Sequence, residues 1–158
     1  MATQIGNWRI DRALQEGGQS HTFLVHQIVA ESKSDRVAVL KRLKGNKRLD
    51  RFRTELEAYQ TLSHPNIVKV VDHDLEAKDS YIVTEYCSGG SLRDAKSRIA
   101  ALPLLDKLHL FGLICKAIAC AHSNHPVIVH RDIKPDNILL KSNELKLSDF
   151  GLARILDP

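Results

Sequence analysis

The chain has 158 residues, 43% hydrophobic and 27% charged, enough for one domain with a real core and not for two large ones. That mix excludes a disordered or fibrous chain. A formal net charge of +4 is too small to mark a nucleic-acid or membrane binder, and it suits a site receiving polyphosphate as readily as ordinary surface charge.

Residues 1 to 7 read as a tail. They hold no charged start followed by an apolar run, which argues against a signal peptide. Trp8 to Leu14 and Thr22 to Ile28 read as strands joined across Gly17 and Gly18. Ser32 to Asp35 reads as a polar turn, and Arg36 to Leu43 as a third strand. Over Leu49 to Leu62 the residues Phe52, Leu56, Tyr59 and Leu62 recur at helical spacing, and His64-Pro65 ends the helix. Ile67 to Val71 and Ser80 to Thr84 are β-branched, apolar runs expected as strands. Ser88-Gly89-Gly90 then breaks the pattern as a hinge would.

Beyond it the pattern turns helical. Ser91 is placed to cap a short helix over Leu92 to Ala100. A longer helix, Leu105 to His122, carries an apolar stripe of Leu108, Phe111, Cys115, Ile118, Ala119 and His122. Asp106, Lys107, His109 and Lys116 interrupt this stretch and argue against a membrane span. Val127 to Val129, Ile138 to Leu140 and Leu145 to Leu147 are short strand-like pieces. Cys87, Cys115 and Cys120 show neither a disulfide framework nor metal-ligand spacing, so reduced, packed thiols and a cytoplasmic location are expected. The eight histidines are scattered without zinc-site spacing.

Two segments carry the chemistry. HRDIKPDNILL, residues 130 to 140, and LSDFGLA, residues 147 to 153, resemble the catalytic and metal-binding loops of eukaryotic-type serine/threonine protein kinases. His130, Arg131, Asp132 and Asn137 match in identity and spacing, and Asp149-Phe150-Gly151 follows in order. The resemblance implies ATP-dependent phosphoryl transfer to serine or threonine hydroxyls of a protein substrate, with ATP and Mg2+ as cofactors. It makes Asp132 the residue that accepts or orients the hydroxyl proton and Lys134 the one that steadies the phosphoryl group. It assigns Asn137 and Asp149 to the metal as oxygen donors. Arg131 resembles the arginine that pairs with a phosphorylated activation loop, while His130 and Phe150 read as packing residues.

The N-terminal half supplies a matching nucleotide site. Lys41, in VAVLKRL (37 to 43), resembles the strand lysine that contacts the phosphates. Glu55 resembles the helix glutamate that pairs with it, with Glu57 ranked second. LQEGGQSHTFLV (14 to 25) resembles the glycine-rich cover, although of the expected glycines at 15, 17 and 20 and valine at 22 only Gly17 is present. Val39 stands where the family has a smaller alanine over the adenine. In YIVTEYCSGGSL (81 to 92), Thr84 would be the gatekeeper, and backbone groups of Glu85 and Cys87 would bond the base. Leu14, Gly17, Thr22, Val39, Lys41, Glu55, Glu85, Cys87 and Leu139 form the expected nucleotide-binding set.

The implied architecture is α+β and bilobal. A small antiparallel-sheet N-lobe with one helix and the hinge strand spans 8 to 87, and an incomplete helical C-lobe spans 88 to 158. The family's domain continues past residue 158 with an Ala-Pro-Glu anchor and a large helical part. The chain is therefore expected to be a partial kinase domain, marginally stable or self-associating through its exposed helix. A non-catalytic nucleotide-binding or interaction module is the alternative function. Small-molecule phosphorylation is a third reading, disfavoured by the close match of HRDIKPDN.

Overall fold

The computed structural model describes residues 4–16, 20–29, 32–45, 49–142 and 144–156, which form two compact units. The first comprises residues up to Arg53 together with Lys69–Tyr86, and the second Thr54–Val68 with Cys87 onward.

The first unit is built on a six-stranded antiparallel sheet in the order β1-β2-β3-β4-β6-β5. Its strands are β1 (Gln4–Ile5), β2 (Trp8–Glu16), β3 (Ser20–Val29), β4 (Ser32–Leu43), β5 (Val70–Asp74) and β6 (Tyr81–Glu85). Alternation of side chains along each strand sorts residues between the two faces. Val25 pairs with Ala38, Phe23 with Leu40, and Leu40 with Val83. These residues join Ile5, Trp8 and Tyr81 in the core on one face. Trp8 is 1% exposed and donates its indole N–H to Asp72 at 2.6 Å, so its polar end is satisfied in the apolar setting. The other row contains Thr22 opposite Lys41, and Val39 opposite both Leu24 and Thr84.

Three expectations about this unit need correction. Ser32–Asp35 is strand rather than turn, because Val29↔Ser32 and Ile28↔Lys33 extend the β3–β4 ladder. In the segment expected as a tail, Gln4 and Ile5 add a strand to β2, and Ile5 is buried. The fifth strand also starts later than its apolar run. Ile67 bridges to Leu147 in the second unit, and β5 begins only at Val70.

Helix α1 (Leu49–Thr61) contributes residues to both units. All four residues expected on its apolar face, Phe52, Leu56, Tyr59 and Leu62, are buried. The second unit continues with α2 (Lys96–Ala100), α3 (Leu104–His122), β7 (Val127–Val129), β8 (Ile138–Lys141), β9 (Glu144–Leu147) and β10 (Arg154–Leu156). The β8–β9 hairpin is its spine, and neighbouring backbone satisfies both edges. Gly89 N–H bonds Leu140 O, Leu140 N–H bonds Gly90 O, and Leu92 N–H bonds Ile138 O along one edge. Val68 N–H bonds Leu147 O and Leu147 N–H bonds Asn66 O along the other. The β10 strand pairs with β7.

Helix α3 packs on β7 and β9 through Ile114, Ala117 and Ala121, spaced by three and four. The stripe read from the sequence lies on the other side and is exposed, as expected of this helix. Leu108 (56% exposed), Phe111 (68%) and Cys115 lie on the exposed side, with Leu104 and Leu105 beside them. Cys115 is thus not a packed thiol. Small residues on the packed side let the helix approach the strands closely. Ser91 does not cap a helix over Leu92 to Ala100. It bridges to Leu139, exchanges hydrogen bonds with Asp94 in a turn, and α2 begins only at Lys96. No described helix is long and apolar enough to cross a membrane.

Two glycines give opposite expectations. A Cβ at Gly89 would lie 2.7 Å from Leu140 Cβ and 2.9 Å from its backbone oxygen, which cannot move without breaking the zipped edge. Gly89→Ala should destabilise by about 1–3 kcal/mol. A Cβ at Gly112, inside α3, meets nothing within 4 Å. Gly112→Ala should stabilise by about 0.5–1 kcal/mol. Urea unfolding of both variants checks the pair.

Candidate active site

The segment from His130 to Lys134 has no strand partner, so its polar groups must find other bonds. His130 supplies several. Its ring is 2% exposed, with Nε2 2.9 Å from Ser148 O and Nδ1 3.2 Å from the Asp132 amide. A carbonyl only accepts and an amide only donates, so the proton sits on Nε2 and Nδ1 is the acceptor. Burial lowers the His130 pKa below its ordinary 6.5, which keeps this neutral tautomer in place. Phe150, fully buried, packs 4.5 Å from the His130 ring and edge-on to Tyr59 at 5.3 Å. His130 and Phe150 do pack as expected, but His130 is also a polar bridge between the two motifs.

Around Asp132 the expected chemical residues meet. Lys134 Nζ donates to Asp132 Oδ2 at 2.7 Å. Asn137 Nδ2 donates to Asp132 O at 2.8 Å and to Oδ2 at 2.9 Å. The Lys134 hydrogen bond, with a smaller contribution from Asn137, holds the Asp132 carboxyl below the usual carboxylate range, and Asp132 in turn raises the Lys134 ammonium. Both groups are therefore charged at neutral pH. Asn137 ends a short 3₁₀ turn, Pro135–Asn137. Its backbone oxygen accepts from Ser148 N–H at 2.8 Å and Ser148 Oγ at 3.0 Å, which brings the neighbouring Asp149 segment against the loop.

Asp149 has φ 62° and Arg131 has φ 63°, a region rare for residues with a Cβ. Such backbone persists where surroundings fix it. The Asp149 amide donates to the Tyr59 hydroxyl at 2.8 Å. Burial first, and then the Glu55 charge, push the Tyr59 pKa well above 10.0, so this hydroxyl stays protonated. Arg131 donates Nε to Leu152 O at 2.7 Å and Nη2 to Ala153 O at 3.3 Å. A Cβ at Gly151 would come within 3.2 Å of Asp149 Oδ1 and 3.4 Å of Glu55 Oε2, so this glycine leaves room for both carboxylates.

The remaining expected residues fall in both units. Thr22, Val39, Lys41 and Thr84 share the sheet face opposite the core, and Lys41 Nζ lies 5.8 Å from the centre of the Phe52 ring. Leu14 sits at a register irregularity in β2 and is 36% exposed. Gly17 lies outside the described residues. Glu55 is 3% exposed whereas Glu57 is exposed. The Glu85 amide bonds Lys69 O at 2.9 Å, so a bond from Glu85 to a base would come from its carbonyl. Cys87 is buried, and its carbonyl accepts from Gly90 N–H at 3.4 Å. Leu139 pairs with Lys146 across β8–β9. Sequence reasoning missed Tyr59 and Ser148. Tyr59 counted only as part of an apolar helix face, and Ser148 carried no signal beyond its place before Asp149.

The antiparallel sheet of the first unit and the hairpin and loops of the second are the elements of a protein-kinase-like fold. The protein kinase domain family matches residues 9–158, and the chain belongs to that family. It is 36% identical over 157 residues to serine/threonine-protein kinase PrkC of Bacillus subtilis, covering 96% of this chain and 23% of that protein. It is 42% identical over 121 residues to human serine/threonine-protein kinase DCLK3, covering 72% of this chain and 18% of that protein. To the Saccharomyces cerevisiae cell cycle serine/threonine-protein kinase CDC5/MSD2 it is 33% identical over 144 residues, covering 90% of this chain and 20% of that protein. The chain thus spans less than a quarter of the length of these curated relatives.

The His130 bridge carries a pH signature. Its folded pKa lies below the unfolded one, so the unfolded chain takes up a proton first as pH falls. The stability contributed by neutral His130 is complete above the ordinary 6.5 and is lost as pH drops through 6.5 toward the folded value. Asp94, Asp132 and Asp136 are all held below the usual carboxylate value of 3.8 and respond at lower pH. His130→Phe should be less stable than the parent at pH 7.5 and should lose this increment, as read from denaturation midpoints across the interval.

Proposed function

We propose that the chain transfers the γ-phosphoryl group of ATP to serine or threonine hydroxyls of a protein substrate, with Mg2+, in the cytoplasm. The observation that carries this reading is the hydrogen-bonded set Asp132–Lys134–Asn137. Asp132, kept ionised by Lys134, accepts the proton of the attacking hydroxyl. Lys134 remains cationic and neutralises charge on the phosphoryl oxygens.

The donor set suits a hard cation. The Asn137 carboxamide nitrogen donates to Asp132, so its carbonyl oxygen is the end offered as a ligand. Gly151 leaves room for the Asp149 carboxylate. Two such residues leave most of an octahedral magnesium shell to phosphate oxygens and water. Bound Mg·ATP supplies the electrophilic phosphorus and offsets the charge on the leaving phosphate. Thr22, Val39, Lys41, Thr84 and the backbone of Glu85 are assigned to the nucleotide on the strength of the shared sheet face and the family resemblance.

Asp132→Asn should lower transfer to a generic protein substrate by about 10²–10⁴-fold while nucleotide-induced thermal stabilisation persists. Asp149→Asn should instead abolish the magnesium dependence of that stabilisation. Radiolabelled ATP and a melting assay read the two effects. Stabilisation of the parent chain by nucleotide without Asp132-dependent transfer would overturn the enzymatic reading in favour of a nucleotide-binding module.

A further inference from the structure

The candidate site depends on the short 3₁₀ turn Pro135–Asn137, which is intrinsically weak. Pro135 brings no N–H, and the side chain of the residue before the turn, Lys134, makes no capping bond, so the turn's own bond is the one from Asn137 N–H to Lys134 O at 2.9 Å. Something outside the turn therefore has to hold it. The grip comes from Arg93, in the turn that precedes α2. Arg93 Nε donates to Asp136 Oδ1 at 2.5 Å and Nη2 to Asp136 Oδ2 at 2.8 Å, a two-pronged pairing across 43 residues. The Arg93 amide also donates to Pro135 O at 3.2 Å, and the Leu92 amide to Ile138 O at 2.7 Å. Three consecutive residues, Pro135, Asp136 and Asn137, thus lie between anchors on the same neighbouring segment. Asn137 adjoins the gripped residue and donates to Asp132.

We propose that Arg93 and Asp136 are positioning residues for phosphoryl transfer, orienting Asn137 and Lys134 about Asp132 without touching substrate. This rests on the reading of the Asp132 loop as the transfer site. The side chains are 63% and 41% exposed, where an ion pair adds little to global stability. Rates respond far more steeply than stability to small displacements of a positioned group. A forked guanidinium fixes two carboxylate oxygens at once, which an ammonium on a flexible stem does not. The clamp's effect is therefore predicted on rate and on local order, with little effect on melting.

The test uses Arg93→Ala, Arg93→Lys, Asp136→Asn, the single changes Arg93→Asp and Asp136→Arg, and the reciprocal double variant Arg93→Asp/Asp136→Arg. Steady-state kinetics, thermal melting and residue-resolved hydrogen exchange are measured on each. Arg93→Ala and Asp136→Asn should lower kcat about three- to tenfold with KM for ATP within about twofold. The Asn137 and Ser148 amides should exchange at least about threefold faster, with the melting temperature within about 1 °C of the parent. Arg93→Lys should recover only part of the rate, and the reciprocal pair should recover more than either of its single changes. Unchanged kcat together with unchanged exchange at Asn137 would overturn the clamp. So would a rate loss matched by faster exchange across the whole unit and a lower melting temperature, since that marks a general structural role. If the parent chain shows no Asp132-dependent transfer, the enzymatic reading fails, and exchange at Asn137 alone decides whether the clamp exists.

Discussion

The arrangement of the site depends on one neutral imidazole. His130 donates to the Ser148 carbonyl and accepts from the Asp132 amide, so a single buried ring joins the loop that holds Asp132 to the loop that holds Asp149. The bridge needs one nitrogen to be a proton acceptor. A charged ring would offer two donors, would turn one of them on an N–H, and would carry that charge into a setting shared with Phe150. Burial that favours the neutral ring and hydrogen bonding that requires it point the same way. The Ser148–Asn137 and Asp149–Tyr59 bonds then extend the frame to a helix 90 residues earlier in the chain.

Much of the chemistry was legible because it is local in sequence. Asp132, Lys134 and Asn137 lie within six residues, and a bend that brings a carboxylate, an ammonium and a carboxamide together needs only those positions. The apolar face of α1 was legible for a similar reason, since spacing alone places Phe52, Leu56, Tyr59 and Leu62 on one side. Sheet alternation added something that the sequence did not display: Thr22, Val39, Lys41 and Thr84, from three strands, share the face turned away from the core.

What stayed hidden was decided by tertiary partners. In α3 the stripe of Leu108 and Phe111 was legible and is exposed, but the face packed on β7 and β9 was not, because it is made by the small Ala117 and Ala121 beside Ile114. Ser32 to Asp35 has turn-forming composition, yet cross-strand pairing with Ile28 and Val29 keeps its start extended. Ile67 was read as part of a strand in the first sheet but serves the β9 edge of the second unit. Tyr59 met the apolar criterion, and nothing in its spacing revealed that its hydroxyl would receive the Asp149 amide.

The wet side of α3 has a practical corollary for anyone purifying this chain. Leu104, Leu105, Leu108 and Phe111 form a greasy ridge at one end of a helix, between 56% and 79% open to solvent. Ions that are excluded from protein surfaces strengthen the tendency of such ridges to leave water, while a net charge of +4 gives only modest mutual repulsion. Sulfate and phosphate buffers will accordingly bring the chain out of solution sooner than chloride does, and mild detergent will keep it dispersed.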